Sequence, residues 1–149
     1  MKSTFFVISI ICACVVRCGG CSCGQDNGPR RFCGYDIVFR GRAVSEYVDR
    51  QGPADDPFYL LISDRVYTVI VDQAIVMPDS FRGDKSIKIR TPVSGSVCGT
   101  TFPLFSSRVF FASEYDGQVH TGLCDPNEPW DGLSHRDKAE ITEHLSERC

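Results

Sequence analysis

Two cysteines one residue apart, Cys21-Ser22-Cys23, follow a leader-like segment and form the most informative constellation in the chain. If both are bridged to distant parts of the chain, residues 21–23 are held as a rigid extended segment. Should Cys21 be the first residue of the mature protein, its α-amino nitrogen and carbonyl oxygen can close a five-membered chelate ring on a metal. A free α-amine has a pKa near 7.7–8, so deprotonating it at neutral pH costs on the order of 1 kcal/mol, little against a metal bond. A catalytic zinc keeps one coordination position open for water, and such a terminus could displace that water in another protein.

That chemistry depends on where the chain is cut. Lys2 is followed by an apolar run from Phe5 to Val16 and by the small residues Cys18, Gly19 and Gly20. The pattern is that of a secretory signal peptide, residues 1–20, with cleavage before Cys21. A cut after Ala13 is the competitor. It would leave eight cysteines instead of six, and both counts are even. No stretch is long enough to span a bilayer core of roughly 30 Å, so a secreted protein of the extracellular space is expected.

The mature domain is then residues 21–149. Removing Lys2 and Arg17 takes the balance from 16 basic and 19 acidic residues to 14 and 19, a net charge of −5. An acidic excess without a basic stripe argues against nucleic acid as a partner and favours a protein. Six cysteines in an exported chain read as three disulfides, and they can pair in fifteen ways.

The rest of the chain has to position this terminus. Asp36–Ser45 reads as a bent first strand with a bulge at Gly41, and Asp49–Pro57 as a polar loop. Phe58–Met77, rich in Tyr, Val and Ile, reads as one long or two short strands ended by Pro78. Lys85–Thr91 alternates polar and apolar residues, as a strand with one buried face does. Arg108–Ser113 and Gln118–Leu123 form a hairpin turning at Asp116-Gly117. Ser134 and Asp137 suggest an N-cap for a helix over His135–Glu147, with Ile141 and Leu145 on one face. Five strands and a late helix fit a mainly β, five-stranded OB-fold Greek-key barrel, stapled by three disulfides.

Catalytic signatures are absent: there is no His-Glu-x-x-His, no Gly-x-Ser-x-Gly elbow and no phosphate loop. Ser94-Gly-Ser-Val-Cys-Gly99 resembles an elbow only loosely and reads better as a bridged loop. His120, His135 and His144 are scattered singly, as surface histidines are.

Several blocks together resemble the inhibitory amino-terminal domain of the tissue inhibitors of metalloproteinases, a netrin-like module. They are Cys21-Ser-Cys23, Pro29-Arg-Arg-Phe-Cys33, Ile37-Val-Phe-Arg-Gly-Arg-Ala-Val44, Ser96-Val-Cys-Gly99 and Pro129-Trp-Asp-Gly-Leu-Ser134. The resemblance implies the pairings Cys21–Cys98, Cys23–Cys124 and Cys33–Cys149. It implies that Cys21 chelates the zinc of a target protease through backbone N and O, and that Ser22 enters the specificity pocket. Cys23 and Gly24 then follow along the cleft, with Ser96 and Val97 on the other side.

On this reading the protein is no enzyme, has no cofactor of its own and acts as a monomer on matrix metalloproteinases or related zinc proteases. Gly24 departs from the family in offering no side chain. With the sequence ending at Cys149, the second domain of longer members is not expected. A netrin-like module that binds matrix or signalling proteins without inhibition is the alternative. Amino-terminal sequencing of the exported protein separates the two. Cys-Ser-Cys-Gly is expected as the first cycle products, and any residue retained ahead of Cys21 favours the plain binding module.

Overall fold

The computed structural model describes residues 21–24, 29–53, 55–145 and 149. Five strands close into a barrel: β1 (Ile37–Asp49), β2 (Asp64–Val76), β3 (Ser86–Pro92), β4 (Ser107–Tyr115) and β5 (Gln118–His120). Around the barrel the order is β1-β2-β3-β5-β4, with β4 returning to β1. All pairings are antiparallel except β3 with β5. This is the OB-fold Greek-key barrel expected from the strand pattern.

A short sheet can close only if its strands bend, and β1 bends by slipping register against β2 at Val38/Phe39, Arg40/Gly41 and Ala43/Ser45. Gly41 sits at one of these bulges. A Cβ there would run into the carbonyl oxygen of Ile70 and come within 3.0 Å of the Phe39 ring.

Alternation along the strands fills two cores. Ile37, Phe39, Tyr67, Val69, Ile89, Phe110 and Val119 point into the barrel. Val38, Val109 and Phe111, on the opposite faces of β1 and β4, pack under Phe32, Leu133, Ile141 and Leu145. Both faces of these two strands are therefore buried, which is why they read as apolar runs and not as strict alternation. Aromatic pairs hold the interior: Phe39 stacks on Phe110 at 5.3 Å, and Phe102 meets both Phe110 and Tyr67 edge-on at 5.2 Å. Tyr67 satisfies its buried hydroxyl by accepting from the Phe102 N–H at 3.1 Å.

The late helix starts as Ser134 predicts. Its hydroxyl accepts from the Asp137 N–H at 3.1 Å and donates to the Asp137 carboxylate at 2.8 Å. One α-helical segment, His135–Ala139, runs into a π-helical turn, Glu140–His144. The expected end of the helix at Glu147 lies outside the described residues, as does the leader 1–20.

Three boundaries differ from the sequence reading; one is β5, which ends at His120 and not at Leu123, because the Gly122 and Leu123 N–H groups donate to Asp125 and to the Cys98 carbonyl outside the ladder. The first strand extends to Asp49, beyond Ser45, because the β1–β2 ladder continues to Asp49 opposite Asp64. Phe58–Ile62 is not strand: Asp56 accepts from the Phe58 N–H at 2.8 Å, turning the chain into the short helix α1 (Tyr59–Ile62), and β2 begins only at Asp64. Apolar composition concealed a turn initiated by an aspartate. Elsewhere the agreement is close. Asp116 (φ 51°) and Gly117 (φ 70°) both adopt the left-handed conformation that a tight two-residue hairpin requires.

Replacing Gly41 by alanine forces its Cβ against the β2 backbone. The variant is expected to lose about 1–3 kcal/mol of stability, read as a lower urea midpoint with unchanged slope.

Candidate functional site

Cys21–Gly24 lies across one end of the barrel and is fixed there by two bridges. Cys21 is joined to Cys98 with a Cα–Cα distance of 5.0 Å, and Cys23 to Cys124 at 5.2 Å. The third bridge, Cys33–Cys149, ties the segment before β1 to the last residue, around the second core. The first two bridges touch, with the sulfurs of Cys21 and Cys124 3.8 Å apart. Cys21, Cys23 and Cys124 form the one sulfur cluster of ligand-like spacing among the described residues. Its sulfurs are all oxidised, so it offers no thiolate to a metal. What remains available at Cys21 is its backbone. Ser22, Cys23 and Gly24 are exposed and Cys21 is half-buried.

The loop carrying Cys98 is built to hold its partner. Ser94 caps a 3₁₀ turn, Gly95–Val97, by accepting from the Ser96 N–H at 3.3 Å, and the Ser94 and Ser96 hydroxyls lie 2.7 Å apart. Cys98 then takes a left-handed conformation (φ 65°), which turns the chain back sharply. At Gly99 a Cβ would collide with the carbonyls of Pro92 and Ser94, so glycine is required for the close approach. Ser96 and Val97 are exposed on this turn, directly before the bridge to Cys21.

The two bridged loops are bonded to each other as well, the Leu123 N–H donating to the Cys98 carbonyl at 2.8 Å. Below Cys124 lies a polar network that the sequence reading missed. One oxygen of Asp125 accepts from the Gly122 N–H at 2.7 Å and lies 3.0 Å from the Thr121 hydroxyl. That hydroxyl also lies 2.8 Å from the Phe111 carbonyl and accepts from the Asn127 amide at 2.6 Å. Asn127 in turn accepts from the buried Phe111 N–H at 2.7 Å. Burial, together with the nearby Asp125 carboxylate and a hydrogen bond to it, pushes the Tyr35 hydroxyl up to about 12. The legible sign of this network was the turn-forming run Asp125-Pro-Asn127 after Cys124.

Trp130 is held between cations, with the Arg40 guanidinium 5.1 Å and the Lys138 ammonium 5.5 Å from its ring. It links β1 to the late helix and lies outside the bridged segment Cys21–Gly24. His120, His135 and His144 form no cluster with other metal-ligating groups among the described residues.

A closed five-stranded barrel of OB type, with an exposed segment pinned to it by two disulfides, is the class of fold that this chain has. Comparison narrows this: the family model "Tissue inhibitor of metalloproteinase" matches residues 19–149. The chain belongs to that family. It is 31% identical to metalloproteinase inhibitor 2 of Cricetulus longicaudatus over 134 residues, covering 87% of this chain and 64% of the relative. The human metalloproteinase inhibitor 2 is likewise 31% identical, with 87% of this chain and 57% of the relative covered. Metalloproteinase inhibitor 3 of Xenopus laevis is 27% identical over 127 residues, 78% of this chain and 54% of the relative. The chain thus spans somewhat over half the length of these relatives.

The Asp125 network carries a stability prediction. Asp125→Ala removes an acceptor from the Gly122 N–H and from Tyr35, at an expected cost of about 1–3 kcal/mol. In an absorbance titration the Tyr35 transition, at about 12 in the native protein, should fall toward 10.0 but stay above it, since burial is the largest cause of its shift. The raised pKa means that the native state holds this proton longer than the unfolded chain does. Its stabilising contribution is full below pH 10 and is lost as pH rises toward 12.

Proposed function

We propose that the protein is an exported inhibitor of zinc metalloproteinases that acts through the amino terminus created at Cys21. On this reading residues 1–20 are a signal peptide and residues 21–149 the secreted inhibitory domain. The observation that carries it is the double pinning of Cys21 and Cys23 to Cys98 and Cys124 at an exposed end of the barrel. Family membership and the names of the relatives point the same way.

A protease zinc is held by its own protein and keeps an open position for water. The Cys21 amine nitrogen and carbonyl oxygen together replace that water, and the oxidised sulfur stays out of the coordination. Ser22, exposed beside them, faces the pocket for the substrate residue after the scissile bond. Cys23 and Gly24 extend along the cleft, and Ser96 and Val97 close on it from the other loop. Tight binding then follows from preorganisation, since the bridges have already fixed the segment that must be ordered. The inhibitor needs no cofactor of its own, because the metal is the target's.

Adding one alanine before Cys21 tests the mechanism. The extension moves the free amine off the chelating position while leaving all six bridged cysteines in place. Inhibition of a matrix metalloproteinase panel is expected to weaken by more than roughly 100-fold, the upper range for disturbing a group that merely supports a metal ligand. Circular dichroism and melting temperature should be unchanged. Full inhibition by the extended protein would eliminate chelation by the terminus.

A further inference from the structure

The short helix α1, between β1 and β2, contributes to neither core, and none of its residues is buried. Four of the eleven large apolar side chains exposed among the described residues fall in this one turn: Phe58 at 65%, Leu60 at 42%, Leu61 at 43% and Ile62 at 53%. Such a concentration on a small domain marks a contact surface, unlike apolar residues scattered singly. Neither Cys21–Gly24 nor Gly95–Cys98 belongs to it, so it does not rest on the inhibitory reading.

The turn is fixed to the barrel. At its foot the buried Ser63 accepts from the Gln51 N–H through its hydroxyl and from the Val93 N–H through its carbonyl, both at 3.0 Å. The N–H groups of Phe58, Tyr59 and Leu61 are bonded within the turn, to the Asp56 carboxylate at 2.8 Å, the Asp56 carbonyl at 3.2 Å and the Phe58 carbonyl at 2.8 Å. These three donors therefore lose no partner when the turn leaves water, which is the condition for backbone to enter an apolar phase.

Shape decides what can cover it. Successive helical side chains point about 100° apart, so Leu60, Leu61 and Ile62 alone spread through roughly 200°. A flat protein face meets half a turn at most, whereas lipid closes around the whole. The charges at the foot agree. The Arg50 guanidinium lies 4.0 Å from the centre of the Tyr59 ring, and a Cβ on Gly52 would come within 3.1 Å of Ile62 and 3.8 Å of the Asp56 carboxylate. A cation and a carboxylate thus stand beside the apolar side chains, complementary to the phosphate and the quaternary ammonium of a zwitterionic headgroup. With Asp55, the turn carries two carboxylates to one cation, so an anionic surface is disfavoured. We propose that α1 is an apolar tip by which this domain docks on a lipid surface of zwitterionic headgroups. Leu60, Leu61 and Ile62 enter the boundary of the acyl chains, and Tyr59 with Arg50 stays at headgroup level.

The test is flotation of the fully bridged protein with phosphatidylcholine vesicles, with phosphatidylserine vesicles as the anionic comparison. The protein should float with phosphatidylcholine, and raised salt should not release it. Leu60→Ser combined with Leu61→Ser should lower the partition coefficient roughly tenfold or more, since two half-exposed leucines leave the apolar contact. Tyr115→Ser, which removes a 77% exposed aromatic side chain elsewhere, should leave partition unchanged. Unchanged circular dichroism and melting temperature establish that both variants are folded. The proposal is overturned if phosphatidylcholine vesicles do not carry the protein, if the α1 variant floats undiminished, or if Tyr115→Ser weakens flotation as much. It is overturned equally if only phosphatidylserine binds and salt releases it, or if the α1 variant loses nothing but inhibition of a metalloproteinase in lipid-free solution. Inhibition by the unaltered protein is measured separately, so failure of one reading leaves the other standing.

Discussion

The position of the exposed segment Cys21–Gly24 depends on two adjacent disulfides. Unbridged, these four residues would sample many conformations, at roughly 1–2 kcal/mol of backbone entropy for each residue later ordered. Here that cost is met during folding. Cys21–Cys98 and Cys23–Cys124 span 77 and 101 residues of sequence, and Cys33–Cys149 spans 116. Closing loops of that length removes about 4.5–5 kcal/mol of unfolded-chain entropy per bridge in the chain-entropy account. The same bonds therefore stabilise the domain and immobilise Cys21–Gly24.

Bridges alone do not aim a segment; the loops that receive them must be rigid. Cys98 is placed by a capped turn, by a left-handed backbone at its own position and by a glycine pressed against Pro92. Cys124 is placed by the Asp125, Thr121 and Asn127 network, which ends on the backbone of β4. The Leu123 to Cys98 hydrogen bond joins the two supports. Cys21–Gly24 is thus referred to the barrel through two linked routes, and a shift in one is resisted by the other.

The sequence disclosed the parts of this design that are local. Asp116-Gly117 announced its hairpin because only a few residue types tolerate two consecutive positive φ values. Ser134 and Asp137 announced the helix start because the cap is a contact between residues three apart. Phe58–Ile62 misled, since apolar composition is shared by strands and by surface turns, and the aspartate that decides between them acts through one hydrogen bond. The cysteine pairing was not derivable from spacing, because each bridge joins residues far apart in sequence, and it came from resemblance. The Asp125 network escaped for the same reason: Asn127 reaches Phe111, Asp125 reaches Tyr35, and no periodicity encodes either contact.

On the proposed reading, in which cleavage makes Cys21 the first residue, the arrangement also accounts for a cysteine there although its sulfur takes no part in the chemistry. A side chain that must anchor the terminus cannot also be the ligand, and a disulfide satisfies the first demand while withdrawing the thiolate from the second. The ligands that remain are the amine and carbonyl of the backbone, and every residue type has the carbonyl. The amine exists only at a chain end. A cut one residue upstream would leave an amide nitrogen at Cys21, planar and without a free lone pair for coordination. The fold can therefore be complete in every strand and bridge and still lack the chelating group, which couples the proposed activity to the position of a single peptide-bond cleavage.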